Sequence, residues 1–242
     1  MQTFSPEKIL AVWEAGRDQH ELDRALTLLA AGTPELSRDE LRSLPIGERD
    51  ARLLRLRALV FGPRATGIAE CPQCANRVEF PVDTSAFVPT SEETCVPHEV
   101  ETDDARVRFR LPTSQDLAAV VAAPDATNGL RRLLDRCVLE VSPRDADQFS
   151  DLSPNSLDAI GQAMLRADPA AEISLALECP DCGERWQMGF EVADFFWQEL
   201  GARARQLLRE IDVIARAYGW SEREILSLPA RRRRTYLELI EA

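Results

Sequence analysis

Lysine is almost missing from this chain. Lys8 stands alone among 242 residues, and arginine supplies the other 28 basic side chains. Histidine is equally scarce, with only His20 and His98, which leaves little material for general-base catalysis or a histidine-rich metal centre. Basic residues as a class are outnumbered, 29 against 41 acidic ones, for a formal net charge of −12. Such a balance argues against binding duplex DNA or an anionic membrane, since both are held by neutralising phosphates. No apolar run approaches the roughly 18 residues that cross a bilayer. The opening residues Met1 to Lys8 lack both the basic and the apolar regions of a secretory signal. The expectation is a soluble protein of the cytoplasm, where paired cysteines hold metal more often than they form disulfides. Four catalytic or nucleotide signatures are also missing: GxGxxG, Walker A, HExxH and GxSxG. No catalytic residue, organic cofactor or small-molecule substrate is expected.

What is present describes a folded chain, 45% hydrophobic and 29% charged. Ser5-Pro6 has the pattern of a helix start, with Ile9, Val12 and Trp13 on one face before Gly16. A second helix is expected over 21–31 with Gly32 as its stop, and a third over 47–61 closed by Gly62-Pro63. The charges interleaved in the third (Glu48, Arg49, Asp50, Arg52, Arg55, Arg57) fit a solvated face with local ion pairs. From Gly67 to Arg110 the pattern turns short, alternating and proline-broken, which predicts strands, Val107 and Phe109 facing inward. Helices are expected again from Thr113-x-x-Asp116, over 129–140 and over 156–166. Short strands follow around 173–177 and 186–190. Phe196, Leu200, Ala204, Leu207, Ile211, Ile214 and Tyr218 then keep 3.6-residue spacing up to Gly219. Ser221-x-x-Glu224 opens a short helix, and a terminal one carries Tyr236, Leu237 and Ile240. The class is α+β, mostly helical. Five segments are expected: N-terminal helices over 1–66, a first knuckle with strands over 67–112, a helical insertion over 113–170, a second knuckle over 171–191 and C-terminal helices over 192–242.

The cysteines carry the sharpest chemistry. Glu70-Cys71-Pro72-Gln73-Cys74 and Glu178-Cys179-Pro180-Asp181-Cys182 are two copies of one device. The likeness continues beyond the thiols, where Val78, Phe80 and Val82 alternate in step with Trp186, Met188 and Phe190. A CxxC turn feeding a strand is the form of a zinc knuckle, and two of them complete a closed, structural four-thiolate site. Cys71, Cys74, Cys179 and Cys182 are therefore the expected zinc ligands. A rival set takes Cys95 and His98 with Cys71 and Cys74, at finger-like spacing, and strands the second pair. A redox dithiol would need a thioredoxin-type βαβ context, which surrounds neither pair. Cys137 shares an apolar helix face with Leu130, Leu133 and Leu134 and fits a core thiol. Acidic pairs Glu92-Glu93 and Asp103-Asp104 fit solvated loops, Arg231 to Arg234 a solvated helix face, and Trp13, Trp197 and Trp220 the core.

Several stretches carry a resemblance. Leu44-Pro-Ile-Gly-Glu-Arg-Asp-Ala-Arg-Leu-Leu-Arg-Leu-Arg, Phe61-Gly62 and the first knuckle are joined by Arg110-Leu-Pro-Thr-Ser-Gln-Asp-Leu and Ala167-Asp-Pro-Ala-Ala-Glu-Ile. Cys179-Pro-Asp-Cys182 with Trp186, and Ala217-Tyr-Gly-Trp-Ser-Glu-Arg-Glu-Ile-Leu with Tyr236-Leu-Glu-Leu, complete them. In this combination the chain resembles the baseplate hub assembly chaperones of T4-type contractile phages and phage-tail-like injection systems. The resemblance implies an assembly factor without an active site, partnered by hub or spike proteins. It also implies Cys71, Cys74, Cys179 and Cys182 as metal ligands. Two other roles stand beside it: a structural subunit retained in the particle, and a zinc-ribbon regulator that binds nucleic acid.

Overall fold

A computed structural model describes residues 1–88, 97–121, 123, 125–142 and 152–241, and its first third is helical. Helix α1 spans Pro6–Gly16, with the Ser5 side chain accepting from Lys8 N, and α2 spans Glu21–Gly32. A short α3, Arg38–Arg42, is fixed by a reciprocal box in which Ser37 and Glu40 cap each other. Helix α4, Ile46–Phe61, lies across α2, and the long α8, Val192–Tyr218, closes the group by packing on α1, α2 and α4. Leu28, Leu29, Leu53, Leu56, Phe196 and Leu200 are all fully buried between them. Each buried leucine or phenylalanine stabilises this cluster by about 1.5–3 kcal/mol. Helix α8 ends on Gly219 at φ 72, a left-handed cap that glycine adopts without strain. Two short helices, α9 (Glu222–Ser227) and α10 (Ala230–Glu241), fold back on it.

The charges of α4 are not a solvated face throughout. Arg49, Asp50 and Arg57 are buried. Arg57 donates to both carboxylate oxygens of Glu199 on α8, at 2.8 and 2.6 Å, and to the carbonyls of Gly62 and Arg64. Arg49 pairs with Asp50 at 2.7 Å. These partners satisfy groups that would otherwise be costly to desolvate. A similar correction applies to the terminal arginines. Arg233 is 1% exposed and donates to Glu210 and to the Leu228 carbonyl, whereas Arg231, Arg232 and Arg234 are exposed. Among the tryptophans, Trp197 is buried while Trp13 and Trp220 are half-buried.

Strands β1 (Arg64–Glu70) and β2 (Arg77–Asp83) form one antiparallel hairpin. Strands β6 (Ser174–Glu178) and β7 (Arg185–Gly189) form another. Between them the chain makes a second hydrophobic cluster. Strands β3 (His98–Glu101), β4 (Arg106–Phe109) and β5 (Val138–Ser142) pair antiparallel in that order. Helices α6 (Ala126–Cys137) and α7 (Pro154–Ala167) pack with this sheet. Val107, Phe109, Leu134, Cys137 and Ile160 are fully buried there. The helix expected over 129–140 stops at Cys137, because Val138 and Val141 pair with Phe109 and Val107. Asp104 is exposed as expected of a loop, yet it accepts from the Ser153 amide and the Ser156 hydroxyl, at 2.9 and 2.6 Å, at the start of α7.

Helix α5, Ser114–Val120, joins the two clusters through a polar junction. Asp116, nearly inaccessible, accepts from Arg110 at 2.6 and 2.9 Å, from Arg136 at 2.9 Å and from the Thr113 amide. Burial opposes ionisation of Asp116, but these donors hold its carboxyl well below the usual range. Ile46 N donates to the Pro112 carbonyl, and Gly47 N donates to Asp168 at 2.8 Å. A Cβ at position 47 would run into the Asp168 carboxylate, so any larger residue would have to displace it from the Gly47 amide. Thus segments 44–57, 110–117 and 167–173, three of those carrying the resemblance, meet at one place in the fold.

Candidate metal centre

The two hairpins place their turns tip to tip. Each turn is built the same way. Ala75 N donates to the Cys71 carbonyl and Cys71 N to the Asn76 carbonyl, both at 2.9 Å. In the second turn Gly183 N donates to Cys179 at 2.9 Å and Cys179 N to Glu184 at 2.8 Å. Ala75 and Gly183 occupy the same left-handed position, at φ 60 and 75. The strands continue the correspondence, with Glu70 opposite Arg77 and Glu178 opposite Arg185. The knuckle likeness read along the sequence is thus a likeness of hydrogen bonding. An Asn76 to Asp181 side-chain bond of 3.1 Å links the two turns directly.

This arrangement brings Cys71, Cys74, Cys179 and Cys182 together, with all four sulfurs within 4.8 Å of one another. Cys71 Sγ lies 3.6 Å from Cys182 Sγ, and Cys74 Sγ 3.7 Å from Cys179 Sγ. Those separations are far beyond a disulfide bond of about 2.05 Å. They match the edge of a sulfur tetrahedron about 2.3 Å in radius, which is roughly 3.8 Å. Cys71 and Cys179 are 1% exposed and form a small apolar cluster with Val78 and Trp186, while Cys74 and Cys182 face outward. Electrostatics fit a shared negative site. Burial disfavours the Cys71 thiolate, yet the amides of Cys74 and Gln73 bring its thiol down to about 7. The Glu184 amide favours the Cys182 thiolate, but burial and the three neighbouring sulfurs push that thiol up to about 12. Four thiols this close do not all ionise unless a cation offsets their charge.

The remaining candidates lie elsewhere. His98 is in the second sheet, where its ring stacks on Phe109 at 5.5 Å, and Cys95 lies outside the described residues. Cys137 is fully buried at the end of α6, and burial pushes its thiol up to about 11. Glu92 and Glu93 also lie outside the described residues. One feature carried a sequence signal that the periodicity masked: Arg57 interrupts an otherwise apolar stripe between Leu53 and Val60. Asp104 carried none, because its partners Ser153 and Ser156 lie 49 and 52 residues further along the chain.

Among the described residues no helix is long and apolar enough to cross a membrane. No curated protein and no solved structure matches this chain. A family model described as T4 bacteriophage base plate protein matches residues 2–197, a span that holds both knuckles, the polar junction and the whole second cluster. The resemblance drawn from the sequence and this match agree, and the chain belongs to the T4 bacteriophage base plate protein family.

Proposed function

We propose that this chain is a non-enzymatic, zinc-stabilised assembly factor for the base plate hub or spike of a contractile tail or phage-tail-like injection system. The family match carries the reading, because it supports a base-plate-related role with structural or assembly character. Zinc is the metal of choice for four thiolates at tetrahedral spacing, being without redox chemistry and content with soft ligands. Cys71, Cys74, Cys179 and Cys182 would fill its coordination sphere, which supports a structural ion. The ion would tie the hairpin that follows α4 to the hairpin that precedes α8, and so hold the second cluster against the first. Hub or spike subunits bind apolar helix faces, and the surrounding acidic surface, −12 overall, keeps the complex soluble. The protein acts in the cytoplasm of the producing bacterium and leaves or stays with the particle after assembly.

Co-expression with hub and spike subunits, followed by affinity purification of this chain, tests the reading. A hub or spike subunit retained through gel filtration is expected. Recovery of this chain alone, with those subunits soluble and present, contradicts it.

A further inference from the structure

Helices α6 and α7 do not close on each other along their whole length. Leu130, Leu133 and Leu134 on α6 face Leu157, Met164 and Leu165 on α7 across a groove of about 290 Å3. That volume lies just below the small-molecule range of roughly 300–1,000 Å3 and suits inserted side chains. Leu130 and Leu165 are 45% and 38% exposed, so the apolar strip reaches the surface. At its middle stands Gly161, where an added Cβ would meet nothing within 4 Å. A helix interior disfavours glycine, and this one leaves a gap in the groove wall. The charged groups lining the groove are all acidic. Among the described residues Asp158 is exposed with no ion-pair partner, and Asp168, buried and accepting from Gly47 N, closes one end, whereas Arg131, Arg132, Arg136 and Arg166 of the same helices do not line it.

We propose that this groove receives the apolar face of an amphipathic helix bearing basic residues, presented by a base plate subunit. The identity of that subunit's class rests on the assembly reading above. The groove and its charge preference do not. Helix-in-groove recognition places anchors at i, i+3, i+4 and i+7 into such a strip, and a central apolar anchor supplies most of the affinity. A second copy of this chain is disfavoured as the occupant, since each carries −12 and pairing would set carboxylates against carboxylates.

The test uses the full chain and two synthetic helical peptides, one of leucine and lysine, the other of leucine and glutamate with the same leucine spacing. Fluorescence anisotropy at about 150 mM salt measures their affinity for wild type, Gly161→Leu, Leu130→Gln and Leu239→Gln. Gly161→Leu fills the groove while favouring the helix, Leu130→Gln alters its rim, and Leu239→Gln changes an exposed leucine on α10. The lysine peptide is expected to bind wild type and Leu239→Gln alike, and at least about tenfold more weakly to the two groove variants and in its glutamate form. Equal binding to Gly161→Leu and wild type overturns the proposal, as does equal binding of both peptides. A wild-type dimer in sedimentation that Gly161→Leu dissociates overturns the choice of occupant. None of these outcomes bears on whether the chain co-purifies with hub or spike subunits.

Discussion

Removing the metal is the perturbation with the largest consequence, and its size follows from topology. Cys74 and Cys179 are separated by 104 residues, and the hairpins that carry them flank the entire second cluster. A cross-link that closes a loop of about 100 residues stabilises by about 4.7 kcal/mol through the chain entropy it removes from the unfolded state. In a protein of this size each kcal/mol moves the unfolding midpoint by about 2–4 °C, so chelation should lower it by about 10–20 °C. Circular dichroism melts of purified protein, with and without a zinc chelator, measure the shift. Cys182→Ser should reproduce it without chelator, because three thiolates and a hydroxyl hold the ion poorly. The effect should be global, since Val82, Phe190 and Val192 beside the knuckles belong to the first cluster. A chelated protein that melts within about 2 °C of the untreated one refutes the reasoning.

Other expectations follow from buried groups. Glu199→Ala leaves the buried Arg57 guanidinium without its carboxylate and should cost about 3–5 kcal/mol in denaturant unfolding; a loss under 1 kcal/mol would make the pair dispensable. Burial pushes the Asp168 carboxyl up, while Gly47 N needs its oxygen. Asp168→Asn should therefore be close to neutral at pH 7, whereas Asp168→Ala should cost about 1–3 kcal/mol, measured the same way. Asp104 is brought down to about 2 by Ser153 and Ser156, and Asp116 is also held low. Both are bound more weakly by protons in the folded state, so their contribution is complete above the ordinary carboxylate value of about 3.9 and fades as pH falls towards 2. Amide exchange in the second cluster should accelerate across that window before the first cluster opens; simultaneous opening contradicts it.

How much was legible beforehand divides along sequence distance. The knuckles stood out because each is a five-residue device whose turn, strand and thiols are local, and the copying of Glu70-Cys71-Pro72 in Glu178-Cys179-Pro180 marked them as a pair. Helix starts at Ser5, Thr113 and Ser221 were equally local, depending on bonds three residues apart. Ser37-x-x-Glu40 had the same signal and a helix follows it, though only five residues long. What the sequence concealed depended on distant partners. Arg57 looks solvated until Glu199, 142 residues on, is packed beside it. The α6–β5 boundary was hidden because Gly129 to Glu140 keeps helical periodicity, and only pairing with Val107 and Phe109 pulls Val138 and Val141 into a strand. Arg233 belonged to a run of four arginines, and only folding against Glu210 separates it from its neighbours.

If this family member is needed to build a base plate, deleting its gene in a producing cell and imaging the resulting particles by electron microscopy is the most direct test. The prediction is tails or sheaths without complete base plates, restored by the wild-type gene and only poorly by Cys74→Ser with Cys182→Ser. Intact, fully assembled base plates in the deletion strain would contradict it.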